Sequence, residues 1–429
     1  MPHTDWFTSS RFGLFIHWGL YAIPARGEWI KNQEKITDEA YQPYFDEFNP
    51  TRYDAREWAR AAKAAGQKYA VITTKHHDGF CLFDSKLTDY KATNTPIAKD
   101  LIREYVDAFR AEGLKVGFYY SLLDWHHPKY PIDRLHPLRD IPENDPRRKN
   151  RSMPDYVDYL HGQVRELLTN YGKIDILWFD FSYDNNHTTT WRARELVDMI
   201  RTLQPGIILN NRLTTGHADP TKQKAGGSGG GQTPLGDLAT PEQIIPPQGV
   251  VDSDGNLLVW EACMTLNNHW GYCRDDHNFK NPAEVVQMLV ECVSKGGNLL
   301  LNVGPTAKGE IQPEALAILA RVGEWLRLNG ESVYNCSRAT FMNKPDWGRY
   351  TLSADGKKLY AHLFTRPMGP IVFENLAGKV KHVRYLRDGS ELKISRPWNI
   401  PEKWPHIGVN LPSTPLPDEL STVLEITLV

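Results

Sequence analysis

Cysteine is scarce in this chain. Five occur among 429 residues, Cys81, Cys263, Cys273, Cys292 and Cys336. They are odd in number and widely scattered, which excludes a disulfide framework and offers no zinc-ligand pairing, so reduced, buried thiols are expected. An excess of one charge is also lacking. Fifty lysines and arginines face 52 aspartates and glutamates, a formal charge of -2. Nothing in that balance would neutralise a phosphate backbone, so no nucleic-acid partner is expected. No apolar run reaches the ~18 residues that span a bilayer, and no membrane partner is expected. The opening MPHTDWFTSSRFG has neither the basic nor the apolar region of a signal peptide. A cytoplasmic location is therefore expected, or a periplasmic or secreted one if a leader has been removed.

Several chemical signatures are missing as well. Without GxGxxG or GxxxxGKS/T, dinucleotide and P-loop readings fall away, and without GxSxG so does a serine-hydrolase elbow. No HxH, HExxH or Cys/His spacing supports zinc, so neither a metal nor a cofactor is expected. Asn186-His187-Thr188 and Asn335-Cys336-Ser337 match the glycosylation pattern, which matters only in a eukaryotic secretory setting.

What is present points to a soluble globular protein: 41% hydrophobic and 24% charged residues. Tryptophan and tyrosine are plentiful, and their amphipathic rings suit sugar faces as well as cores. Seven short apolar runs recur at 13–18, 70–74, 115–120, 174–180, 206–212, 257–261 and 298–303. Each reads as a parallel strand buried on both faces. Between most of them lie amphipathic helical patterns, near 53–65, 100–113, 154–171, 190–203, 282–295 and 313–329. Gly66, Gly113, Gly172, Gly296 and Gly330 follow several of these as helix-ending residues. Repeated strand–helix units predict an α/β fold, a (β/α)8-like TIM-type barrel over residues 1–335. An open doubly wound sheet is the alternative. The eighth unit is indistinct, which leaves room for an irregular barrel. After about residue 335 helical periodicity stops, and strands at 358–364, 381–386, 391–394 and 421–429 with Asp-Gly turns at 355–356 and 388–389 predict a small antiparallel β-sandwich, 336–429. The stretch 214–256 contains GGSGGG and reads as a lid or a disordered insertion.

In a barrel the active site gathers at the C-terminal strand ends. Those ends carry His17 and Trp18; His76, His77 and Asp78; Tyr119 and Tyr120; Trp178 and Asp180; Asn210, Asn211 and Arg212; Trp260 and Glu261; and Asn302. So much His, Trp and Tyr predicts a ligand cleft. Asp180 stands out, because a carboxylate at the mouth of an apolar strand is costly to bury without a role. Acid–base or covalent chemistry needs a second carboxylate, and Glu28, Glu242 and Glu261 are the candidates. His76 and His77, being adjacent, would point to opposite faces of a strand and share an ion only across a bend with His17. Neutral imidazoles bonding hydroxyl groups fit them better.

Taken together, FGLFIHWGLYAIPARGEW (12–29), KHHDGFCLFDSKLTDY (75–90), GFYYSLLDWHHP (117–128), ILWFD (176–180), NNR (210–212), WEACMTLNNHWGY (260–272) and GGNLLLNVGPTAKG (296–309) closely resemble the retaining α-L-fucosidase family of glycoside hydrolases. The resemblance implies exo-hydrolysis of terminal α-L-fucose from fucosylated glycans by double displacement, with Asp180 as the nucleophile. It implies fucose contacts from His17, Glu28, Trp29, His76, His77, Tyr119, Trp178 and Arg212. Glu242, in a GDxxTPE stretch, is the expected acid/base, with Glu261 of the WE motif as runner-up. Closure of a lid over Glu242 would raise its pKa toward a useful range. Phe181-Ser182 depart from the small residue, usually glycine, that the family carries after WFD. The same scaffold could act on α-L-galactose or bind sugar without catalysis, although retention of Asp180, Glu242 and Glu261 argues against the latter. Barrel enzymes of this family form various assemblies, so a homo-oligomer is compatible with the resemblance.

Overall fold

The computed structural model describes residues 2–181, 190–213, 235–252, 255–396, 401 and 403–429. The GGSGGG run, Ser182 and the Asn186 glycosylation pattern lie outside the described residues. Seven parallel strands form the first sheet: β1 (Phe12–Ile16), β2 (Tyr69–Lys75), β3 (Lys115–Ser121), β4 (Ile176–Asp180), β5 (Ile208–Leu209), β6 (Glu261–Thr265) and β7 (Asn298–Val303), in the order β5-β4-β3-β2-β1-β7-β6. Their side chains alternate between two cores, as a period of two demands. Phe15, Tyr69, Val71, Tyr119, Ile176, Trp178, Ile208, Cys263 and Leu300 pack together inside the curled sheet. Leu14, Ile16, Ala70, Ile72, Phe118, Leu177 and Phe179 face outward into the helical layer. Burial on both sides is what makes these strands read as unbroken apolar runs.

The open seam between β5 and β6 is closed by residues 237–243. Parallel bridges join Asn210 to Leu238, Ala239 to Trp260 and Glu242 to Cys263. Leu238 N donates to Leu209 O at 3.2 Å, Glu261 N to Ala239 O at 3.0 Å, and Gln243 N to Cys263 O at 3.0 Å. This irregular eighth stave completes the TIM-like barrel. Its sequence, DLATPEQ, shows no apolar run, and Pro241 lacks an N–H for a regular ladder, so it does not look like a strand. The sixth strand is also shifted from its expected place. Leu257 and Leu258 pair with Val251 and Val250 in a hairpin before the barrel, and β6 begins at Glu261 instead of ending there.

Helices α1 (Ala55–Ala64), α2 (Leu101–Ala111), α3 (Met153–Asn170), α4 (Ala193–Leu203), α5 (Pro282–Ser294) and α6 (Pro313–Asn329) cover the barrel. Polar side chains start several of them. Asp54 accepts from Arg56 N and Glu57 N, Asp100 from Arg103 N, and Asn281 with Glu284 makes a reciprocal capping box. Gly66, Gly113, Gly172 and Gly296 adopt the expected left-handed conformation. Gly330 does not: its φ is -60°, because the chain continues into a 3₁₀ turn, Gly330–Ser332.

From Cys336 onward the chain is antiparallel. β8 (Cys336–Arg338), β9 (Gly348–Ser353), β10 (Lys358–Leu363), β12 (Val380–Tyr385), β13 (Glu391–Leu392) and β16 (Thr422–Leu428) form one sheet, and β11 (Ile371–Phe373), β14 (Ile394–Ser395) and β15 (Ile407–Val409) a second. Leu359, Ala361, Leu363, Leu424 and Ile426 of the first meet Ile371, Phe373, Ile407 and Val409 of the second in one core, a β-sandwich. The expected strand at 391–394 is split into β13 and β14, and β8, β9, β11 and β15 add to those expected. The sandwich is bonded to the barrel where Arg11 Nε donates to Cys336 O at 2.8 Å and Trp325 Nε1 to Ser421 O at 2.7 Å. All five cysteines are free; four are buried, and Cys273 is partly exposed, contrary to expectation. No helix among the described residues is long and apolar enough to cross a membrane.

Gly13 shows how tightly the barrel interior is filled. A Cβ there would lie 2.3 Å from Cε2 of Tyr69, whose ring occupies the space instead. Gly13→Ala is therefore expected to destabilise the protein by about 1–3 kcal/mol through overpacking. Thermal unfolding checks this, and an unchanged midpoint would contradict so close an approach.

Candidate active site

The C-terminal ends of the barrel strands surround a cavity lined by Phe15, His17, Trp29, His76, His77, Tyr119, Trp178, Asp180, Phe181, Arg212, Glu242, Cys263 and Trp270.

Asp180 is the last residue of β4, and three donors converge on it. Arg212 Nη1 lies 2.7 Å from Oδ1, Phe181 N 3.0 Å from the same oxygen, and Tyr119 OH 2.9 Å from Oδ2. Both carboxylate oxygens are thereby fixed in direction. Phe181 adopts φ +67° to present its N–H this way, an uncommon conformation for a bulky residue.

Arg212 sits in the turn after β5 and is itself held on all sides. Its Nε donates to Thr240 Oγ1 at 3.0 Å and Nη2 to Thr240 O at 3.1 Å, while its Cζ lies 4.4 Å from the Trp178 ring centroid. Its Nη1 also lies 2.8 Å from Glu242 Oε2. The same nitrogen thus joins two carboxylates, whose bonded oxygens can be no more than about 5.5 Å apart. Their environments differ: the Asp180 side chain is 10% exposed and that of Glu242 is 42% exposed.

The imidazoles form a second group. His76 and His77 lie beyond the end of β2, so the opposite-face expectation for a strand does not apply, and their ring centroids are 4.0 Å apart in one cavity. His17 Nδ1 donates to Asn302 Oδ1 at 2.7 Å, leaving Nε2 as an acceptor. Ser121 Oγ donates to Leu123 O, so it accepts from His77 Nδ1 at 2.6 Å, and His77 Nε2 faces Asp180 Oδ2 at 4.0 Å. Burial pushes the pKa of His17 and of His77 down to about 3, and that of His76 well below its usual value. All three are neutral at physiological pH. Among the described residues no group of three or more His, Cys, Asp or Glu side chains is placed to hold a metal ion.

Two of the expected site carboxyls do not line the cavity. Glu28 is buried beside it and accepts from Gly271 N at 2.7 Å, with its pKa raised by burial. Glu261 opens β6 at the opposite end of the strand, bonded to Tyr69, the first residue of β2. Other strand-end residues are diverted to structure. Trp18 packs among Phe48, Tyr53 and Trp58, Tyr120 donates to Gln163, Asn210 bridges to the Phe179 backbone, and Asn302 supports His17. Asp78 accepts from Tyr41.

Phe181, noted from sequence as a departure after WFD, lines the cavity, as do Phe15, Cys263 and Trp270, which sequence reasoning did not place there. Phe15 and Cys263 could have been found by stepping two residues inward from His17 and from Thr265. Trp270 comes from the loop after β6 and carries no periodic signal.

Comparison with known proteins accords with this geometry. Residues 1–331 match the alpha-L-fucosidase family model. Alpha-L-fucosidase isoenzyme 1 from Paenibacillus thiaminolyticus is 56% identical, over all of this chain and 99% of that one, with a TM-score of 0.92. An alpha-L-fucosidase from Bacteroides thetaiotaomicron is 32% identical, over all of this chain and 96% of its own, with a TM-score of 0.85. It was solved as a covalent intermediate trapped with 2-fluoro-fucosyl fluoride in a glutamate-to-glutamine mutant. The tissue alpha-L-fucosidase of Bos taurus is 29% identical across 99% of this chain and 89% of its own length. On the match over residues 1–331 and these relatives, the chain belongs to the alpha-L-fucosidase family of glycoside hydrolases.

Proposed function

We propose that the chain is an exo-acting, retaining α-L-fucosidase that removes terminal α-L-fucose from fucosylated oligosaccharides or glycoconjugates. Asp180 is the nucleophile and Glu242 the general acid/base. The observation that carries this reading is the shared Arg212 nitrogen. It keeps the bonded oxygens of the two carboxylates no more than about 5.5 Å apart, short of the gap of about 6.5–9.5 Å that an inverting pair needs for water. The covalent intermediate of the Bacteroides enzyme supports it.

In the first half-reaction Glu242 gives its proton to the glycosidic oxygen while an Asp180 oxygen attacks the anomeric carbon. The leaving alcohol departs and a fucosyl ester remains on Asp180. In the second half, Glu242 takes a proton from water, the water oxygen attacks the anomeric carbon, and the Asp180 carboxylate is released. Arg212 and Tyr119 hold the two Asp180 oxygens in place. Partial exposure leaves Glu242 reachable by a leaving group and by water. The neutral imidazoles of His17 and His77, with Nδ1–H given to Asn302 and Ser121, present Nε2 as an acceptor for a sugar hydroxyl, and His76 has one ring nitrogen to give and one to accept. Phe15, Trp178 and Trp270 supply an apolar wall suited to the C5 methyl group of fucose. Glu28 acts from behind this wall by holding Gly271, next to Trp270.

Glu242 is preferred to Glu261 as the acid/base because it lines the cavity beside Arg212, whereas Glu261 lies beneath the Trp178 ring. Two outcomes follow. Asp180→Ala should lower turnover of 4-nitrophenyl α-L-fucoside by about 10⁴-fold or more, whereas retained turnover would remove Asp180 from the reaction. Glu242→Ala should lose about 10²–10⁴-fold on substrates with poor leaving groups, less on nitrophenyl fucoside, and be partly restored by azide. Azide restoration of Glu261→Ala instead would reverse the assignment.

A further inference from the structure

Glu261 is a buried carboxyl that the double displacement leaves without a part. It is 0% exposed and points into the barrel from the start of β6. Tyr69 OH donates to its Oε2 at 2.7 Å, and Trp178 Nε1 donates to its Oε1 at 3.0 Å. Neither contact can easily reverse. An indole nitrogen only donates, and the Tyr69 oxygen already accepts from Asn298 Nδ2 at 3.3 Å. Both carboxyl oxygens are therefore asked to accept, which is the behaviour of the ionised form.

The contacts continue upward. The Trp178 ring carries the Arg212 guanidinium at 4.4 Å on one side and stacks with Tyr119 at 5.9 Å and 23°. Arg212 and Tyr119 are the side chains that bond Oδ1 and Oδ2 of Asp180. One indole thus separates a buried anion from both partners of the nucleophile.

Taking Asp180 as the nucleophile, we propose that Glu261 is an ionised positioning residue: through Trp178 it fixes Arg212 and Tyr119 against Asp180, and its charge lies beneath the sugar where positive charge develops. With the proton on Glu242, the charges of Asp180, Glu261 and Arg212 leave the site with one net negative charge. That complements an oxocarbenium-like transition state, and a low-dielectric interior strengthens the attraction. Burial raises the Glu261 pKa to about 7, against the pull of Tyr69, Trp178 and Arg212. The charged and titratable groups around it are Tyr69 from β2, Arg212 after β5, Cys263 from β6 and Cys292 from α5.

Because the ionised form is the effective one, activity should fall as pH drops through this pKa. Glu261→Gln keeps the shape and removes the charge. With folding checked by thermal melting, its kcat on 4-nitrophenyl α-L-fucoside should fall about tenfold or more, with KM within about threefold of wild type and no restoration by azide. Tyr69→Phe removes one donor to the charged form and should move the acidic limb of the kcat profile to higher pH. Wild-type kcat in Glu261→Gln, or its restoration by azide, would overturn the proposal. So would an unmoved acidic limb in Tyr69→Phe, which decides the question alone if the glutamine variant does not fold. Asp180→Ala assayed alongside keeps the two readings apart: turnover surviving there removes the nucleophile assignment whatever Glu261→Gln does.

Discussion

The Nη1 nitrogen of Arg212, bonded to Asp180 at 2.7 Å and to Glu242 at 2.8 Å, sets conditions that much of the chain exists to meet. A buried cation costs several kcal/mol to desolvate unless its hydrogens and charge are answered. Thr240 answers two of its donors, Asp180 and Glu242 answer the charge, and the Trp178 face covers what remains. Arg212 follows β5 and Glu242 lies on the stave that meets β6, so the pair faces itself only if the barrel is closed at that seam. Residues 237–243 close it. Asp237, at the start of the stave, pairs with Arg201 of α4 and accepts from Leu209 N, which ties the stave to β5.

The remaining design follows from keeping this cluster dry. Aromatic rings fill the barrel: Phe15, Tyr69, Tyr119 and Trp178 pack in one interior core, and Gly13 gives up its side chain so that Tyr69 can fit. Dryness then decides protonation. The three imidazoles near Asp180 are neutral because burial penalises their charged forms, so Arg212 is the cation in contact with it. The surrounding histidines therefore add no second positive charge beside Asp180.

Much of the fold was legible in the sequence. Helix periodicity, glycines such as Gly66 and Gly113, and apolar runs ending in Asp180 or His17 carry local signals that tertiary packing did not override. The eighth stave was not legible, because Pro241 and its polar neighbours form strand-like bonds without a strand-like pattern. Glu261 was misplaced for a related reason. The apolar residues 257–259 look like a strand ending in a carboxylate, yet Leu257 and Leu258 belong to a hairpin, and the true strand starts with the glutamate. Nothing local announces that a charged residue can open a barrel strand when Tyr69 and Trp178, distant in sequence, wait to bond it. Of the site, Asp180, Arg212 and the histidines were visible as strand ends, whereas Trp270 and the position of Glu28 behind Gly271 depend on how loops pack.

The central claim is that Asp180 carries the sugar between the two half-reactions. The most direct measurement is incubation with 2-fluoro-fucosyl fluoride, followed by digestion and fragmentation mass spectrometry. The account predicts one fluorofucosyl group per chain, located on Asp180. A label on any other residue, or hydrolysis of the reagent in step with inactivation but without a label on Asp180, would contradict it.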